Sequence, residues 1–66
     1  MANSFEIIER VGISNISLSD AIKKAVQEAH SEERVGWFEV LEERGRVTQE
    51  GELEFQVTVK IGRKLA

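Results

Sequence analysis

From Leu53 to Ile61 the chain alternates without a fault: Leu53, Phe55, Val57, Val59 and Ile61 fall on one parity and Glu54, Gln56, Thr58 and Lys60 on the other. Successive side chains of an extended strand point to opposite faces, so this stretch reads as a strand with one apolar and one polar face. The fold must therefore put a core on one side of it and tolerate charge on the other. Just before it, residues 37–46 read W-F-E-V-L-E-E-R-G-R and contain the chain's single Trp. Simple alternation sends Phe38 and Val40 one way and Trp37, Glu39, Leu41 and Glu43 the other. The second set mixes a large aromatic with carboxylates, which suits neither a dry interior nor a plain solvated surface, so something must cover Trp37.

Between the two stretches, Thr48 to Gly51 (T-Q-E-G) supplies the polar and glycine residues of a hairpin turn. Paired as a hairpin, the strands project Trp37 and Gln56 from the same side. A turn centred near Gln49 and Glu50 puts Gln56 opposite residue 42 or 43, about six residues from Trp37, or roughly 20 Å at ~3.3 Å per residue. One small ring does not span that distance, so a ligand touching both is held between subunits. Gly45 inside the strand pattern predicts a bulge or bend there.

Upstream, Phe5 to Gly12 alternates imperfectly, as expected of a strand partly covered on both faces. Gly12 to Ser17 carries turn residues, and Ser17 with Asp20 three positions later fits a capping box, which starts a helix at Leu18. Leu18, Ala21, Ile22, Ala25, Val26 and Ala29 recur at helical spacing, and the alanines leave a flat edge that lets the helix lie close to a sheet. The apolar pattern fades after Ala29, and Gly36 breaks regularity before a strand from Trp37 to about Val47. The last strand runs from about Leu53 to Ile61. The order is β-α-β-β, an α+β fold in which a three-stranded antiparallel sheet wraps one helix, residues 1–66 forming a single domain with the Trp37 strand central. The second face of the sheet stays bare in a monomer.

A chain of 66 residues buries only about 60% of the surface it exposes unfolded. With no Cys and one His it has neither disulfides nor a structural zinc set, which leaves oligomerisation to supply the missing stability. A net charge of −3, with acids and bases interspersed, gives no basic surface for DNA or RNA. No window approaches the roughly 18 apolar residues of a membrane span, and the N-terminus has no basic start before a long apolar run. The expected setting is cytoplasmic.

Enzyme chemistry has little to draw on. There is no Cys, His30 sits on the fading end of a helix as a solvated residue, and the serines lie at a turn or cap. Glu39, Glu42, Glu43 and Glu50 lie near Arg44, Arg46 and Lys60 in the expected sheet, so ion pairs outrank acid–base or metal work. The glycines form no G-x-G-x-x-G.

The chain resembles the dodecins, small flavin-binding proteins, over nearly its whole length. The matching pieces are V-G-I-S at 11–14, D-A at 20–21, W-F-E-V at 37–40, E-R-G-R at 43–46 and F-Q-V-T-V-K-I-G at 55–62, in the family's order and spacing. The resemblance implies a hollow homododecamer with paired flavins stacked between tryptophans of symmetry-related subunits. The stacking residue matches Trp37, and the residue that hydrogen-bonds the flavin's pyrimidine edge matches Gln56. It implies storage or buffering of flavin and quenching of its photochemistry, without turnover. FMN is expected over riboflavin or another flavin, and coenzyme A is a further ligand in some bacterial relatives. Arg46 is the expected phosphate partner, because bacterial dodecins tend to be basic at the matching position. By simple alternation Arg46 faces away from Trp37, so a bulge at Gly45 or a neighbouring subunit must bring it to the ligand. Ion pairing with Glu42 or Glu54 competes for Arg44 and Arg46. Ile13 and Arg63 depart from residues the family often carries, Thr and an aromatic. The rival expectation is a dodecin-like shell without flavin, structural or collecting divalent cations on its carboxylates.

Overall fold

A computed structural model describes residues 4–65. It contains β1 (Phe5–Ser14), α1 (Leu18–Glu32), β2 (Val35–Val47) and β3 (Leu53–Lys64), the β-α-β-β order read from the sequence. The three strands form one antiparallel sheet in the order β1-β3-β2. The faultlessly alternating strand is thus the middle one, and β2, expected at the centre, is an edge. The hairpin leaves the far side of β3 open, and the chain preceding α1 fills it as β1, with Phe5 opposite Lys64 and Ser14 opposite Phe55.

The helix lies on the face carrying Val57, Val59 and Ile61, which are fully buried together with Ala21, Ala25 and Ala29. Ile8, Leu18, Ile22, Val26 and Val35 pack around that cluster half-buried. The alanine stripe does what its spacing predicts. A Cβ at Gly12 would stand 2.1 Å from the Ala21 carbonyl oxygen, so helix and β1 touch almost backbone to backbone. A core of three alanines and three branched side chains is small, and Ile7, Val11, Ile13, Phe38 and Leu53 stay about half exposed. The described residues span 53 × 19 × 14 Å, with a radius of gyration of 13.7 Å against about 11 Å for a compact domain of this length. The excess length is the β2–β3 hairpin, whose turn runs past the end of β1.

At the helix start Asp20 N–H donates to Ser17 Oγ at 3.0 Å, the first half of the capping box. The reciprocal half is replaced. The Asp20 carboxylate accepts from Ser14 Oγ at 2.6 Å, and Ser14 Oγ in turn accepts from Ile16 N–H at 2.9 Å. Buried Ser14 therefore ties the end of β1 to the helix cap. At the other end His30 is exposed, as expected, but it is not idle: its Nδ1 accepts from Val35 N–H at 3.0 Å and leads the chain into β2. Arg63 lies on the helix face, only 11% exposed, and joins Glu6 at 2.7 Å to Glu32 at 3.2 Å, while Arg10 reaches Glu28 and Glu32. The end of the helix is fastened to both β1 and β3 through that clasp.

Ser14 and then Lys24 hold the Asp20 carboxyl below its ordinary value, and Arg10, helped by Arg63, does the same for Glu32. Both folded values lie below the unfolded ones. Their contribution is therefore complete above the ordinary carboxylate range and is lost as pH falls through the depressed folded values. Denaturation midpoints should be flat from neutral pH to about pH 5 and fall below about pH 4. Glu32→Gln should lower the neutral-pH midpoint and flatten the acid limb. An unchanged acid limb in that variant would remove Glu32 from the clasp's pH response.

Candidate functional site

None of the described residues covers the sheet face away from the helix, and strand register decides what stands on it. Cross-strand neighbours in an antiparallel sheet share a face. The open face therefore carries Glu54, Gln56, Thr58, Lys60 and Gly62 of β3, flanked by Ile7, Val11 and Ile13 of β1. On β2 the pairs are Trp37 with Gly62, Glu39 with Lys60, Glu42 with Thr58, Arg44 with Gln56 and Arg46 with Glu54.

The register shifts twice, between Val35 and Trp37 and between Val40 and Glu42. The extra residues are Gly36 and Leu41, while Gly45 pairs regularly with Phe55, so the bulge expected at Gly45 is not there. Moving it to Leu41 has a large consequence. Each extra residue reverses the parity of the strand beyond it, which sends Glu43 to the helix face with Phe38 and Val40 and brings Arg44 and Arg46 onto the face of Trp37. It also sets Gln56 opposite Arg44 rather than residue 42 or 43.

Trp37 is 39% exposed and lies across Gly62, where an added Cβ would stand 2.2 Å from indole Cε2. Only a residue without a side chain gives the ring that seat. The sequence signal was available: Gly62 interrupts the polar row of β3 where the strand continues to Lys64. Around the indole the surface is apolar on the β1 side, with Ile7 opposite Gly62 and a Phe5 ring atom 3.0 Å from where a Gly36 Cβ would be.

Gln56 stands six positions from Gly62, about 20 Å along the strand at ~3.3 Å per residue. Arg44, Gly45, Arg46, Glu54 and Gln56 line a cavity of about 220 Å³. Arg46 Nε donates to Glu54 Oε1 at 2.6 Å and Arg44 Nη2 to Glu42 Oε2 at 2.7 Å, so the ion pairs weighed from the sequence form within one chain. The bond to Glu54 raises the pKa of Arg46, which keeps its charge. Nε is the only guanidinium nitrogen of Arg46 hydrogen-bonded among the described residues, and the side chain is 67% exposed, leaving the Nη donors outward. One chain thus brings Gln56, Arg44 and Arg46 together and sets Trp37 apart on the same face. On β1, Ile13 stands opposite Gln56.

A family model for dodecins matches residues 5–66. The dodecin of Thermus thermophilus is 36% identical over 66 residues, covering 98% of this chain and 96% of that protein. Dodecin from Streptomyces davaonensis superposes with a TM-score of 0.88 at 28% identity, over 100% of this chain and 98% of the other. The calcium dodecin of Mycobacterium tuberculosis shares the fold, with a TM-score of 0.86 at 22% identity over 96% and 91% of the two chains. With its helix wrapped by an antiparallel sheet, and family-level similarity along almost its full length, the chain belongs to the dodecin family.

Proposed function

We propose that this protein stores and buffers flavin in the cytoplasm without turning it over, holding FMN on the open sheet face between copies of the chain in a homododecamer. The observation that carries this is the indole of Trp37 spread over Gly62 on a face that none of the described residues covers. Burying an aromatic there requires a flat partner, and a fused aromatic ring system matches its shape.

The residues fit such a group. The Gln56 amide offers a donor and an acceptor to a pyrimidine edge. Arg46, with Nη donors turned outward, offers paired N–H groups to a phosphate. The cavity beside them, about 220 Å³, is smaller than the roughly 300 Å³ where ligand pockets begin, and Trp37 lies about 20 Å away. A second copy must supply the stacking ring, which makes assembly part of the site. The flavin supplies an electron-poor, light-absorbing ring, and Trp37 sets an electron-rich indole against it, the arrangement that quenches emission and photochemistry. Riboflavin shares every contact except the phosphate, and coenzyme A remains a further ligand for the basic positions. In the alternative, a cation-collecting shell, carboxylates would have to converge. Within one chain Glu39, Glu42 and Glu54 face Lys60, Arg44 and Arg46, so such sites would have to form from carboxylates of different copies.

The test is fluorescence titration of FMN and riboflavin at low and high salt. Flavin emission should fall on binding, and FMN should bind more tightly than riboflavin at low salt, with the margin shrinking as salt rises. Arg46→Glu should abolish the margin while leaving riboflavin affinity near wild type. A margin that survives the substitution would assign the phosphate to another group and leave Arg46 as the partner of Glu54 alone.

A further inference from the structure

Two apolar patches on the helix side of the molecule lie at the margin of the core and away from the open face. The first is a shoulder at the hairpin end. Because β1 ends at Ser14, opposite Phe55, the pair Val47–Leu53 lies beyond it, with no third strand beside it and no helix above among the described residues. Val47 and Leu53 are 65% and 55% exposed, and Ile16 in the β1–α1 connection is exposed beside them. Leu53 and Ile16, with Glu52, border a cavity of about 420 Å³. The second patch is a groove of about 340 Å³ along the flank of α1, walled by Ile22, Val26 and Phe38 and rimmed by Lys23.

We propose that shoulder and groove are the two halves of one head-to-tail contact between copies of this chain, Val47, Leu53 and Ile16 of one seating against Ile22, Val26 and Phe38 of the next. The proposal rests on the assembly proposed above and names the surfaces that make it. Self-closure is excluded by distance: Phe38 pairs with Ile61, eight positions along β3 from Leu53, or about 26 Å of strand at ~3.3 Å per residue. Charge decides how the copies meet. The shoulder is edged by Glu52 and the groove by Lys23, and neither has an ion-pair partner among the described residues. Shoulder against shoulder would oppose glutamates, and groove against groove would oppose lysines. Only shoulder into groove brings Glu52 to Lys23. Every chain carries both halves, so the contact repeats from copy to copy and forms a ring where the rotation between copies closes.

The test uses light scattering on full-length protein after size exclusion, with circular dichroism to confirm the fold. Leu53→Asp and Phe38→Asp change exposed side chains, and each alone should lower the mass of the assembly. Mixed in equal amounts they should form a heavier species that neither forms alone, since one retains the groove and the other the shoulder. Charge variants guard against misfolding. Lys23→Glu and Glu52→Lys should each raise the concentration at which the assembly dissociates, by about two- to fivefold per contact for an exposed pair, and the double swap should restore it. An assembled wild type whose apolar variants keep full mass, a mixture no heavier than its parts, or a double swap that restores nothing would overturn this contact alone. A monomeric wild type would overturn the assembly beneath it.

Discussion

Gly12→Ala is expected to cost a third or more of the chain's stability, at about 3 kcal/mol. The added methyl would stand 2.1 Å from the Ala21 carbonyl oxygen and 3.0 Å from the Ala25 Cβ. Neither obstacle is the free end of a flexible side chain, so the helix itself must lift. Overpacking costs about 1–3 kcal/mol where side chains can give way, and a rigid backbone puts this site at the upper end. A domain of this length has roughly 3–10 kcal/mol in all. A loss of ~3 kcal/mol corresponds to a melting point lower by about 12–24 °C in a domain this small. Thermal denaturation followed by circular dichroism gives the answer. A variant that melts like wild type would mean that helix and sheet are not in the close contact the alanine stripe and Gly12 create.

Gly62→Ala should leave the fold standing and disable the proposed flavin site. Its methyl would overlap the indole at 2.2–2.6 Å, and the ring can leave because the open face does not hold it down. Expected results are a red-shifted Trp emission, a small change in melting point and a loss of FMN affinity close to that of Trp37→Ala. For Trp37→Ala the stacking term is about 1–3 kcal/mol by analogy with base–aromatic stacking, and ~1.4 kcal/mol is a factor of ten. Loss of affinity should therefore reach about tenfold or more in the upper half of that range, with flavin emission largely unquenched. Wild-type affinity in Gly62→Ala would show that the indole does not bind in the seat it occupies here.

The features legible in the sequence and those that were not divide along a physical line. Residues 53–61 declare a strand because alternation is local, and Ser17 declares a helix start because capping is local. Both hold. Which strand lies in the middle depends on where β1 docks after the crossover, a long-range pairing that no local pattern near Trp37 encodes. Gly45 is the residue that would ease a bulge, yet the bulge lies at Leu41, where L-E-E-R has no glycine or proline to mark it. That displacement mattered more than its size suggests, since a single extra residue turned Arg44 and Arg46 onto the side of Trp37. Gln56 was placed on the right face because its parity is counted from β3 alone. Arg63 gave no signal beyond a charge at the end of an apolar row, and its clasp on Glu6 and Glu32 needed the helix end in place.

Whether the bare Trp37 face takes a flavin shared between copies of the chain, as proposed, is read by native mass spectrometry of wild-type protein after FMN addition, which reports chain number and bound ligand together. The expected species is a dodecamer carrying FMN, with no flavin on any dissociated monomer, and the FMN adducts gone from the dodecamer of Trp37→Ala. Monomers that carry FMN, or a wild-type assembly that carries none, would contradict the proposal.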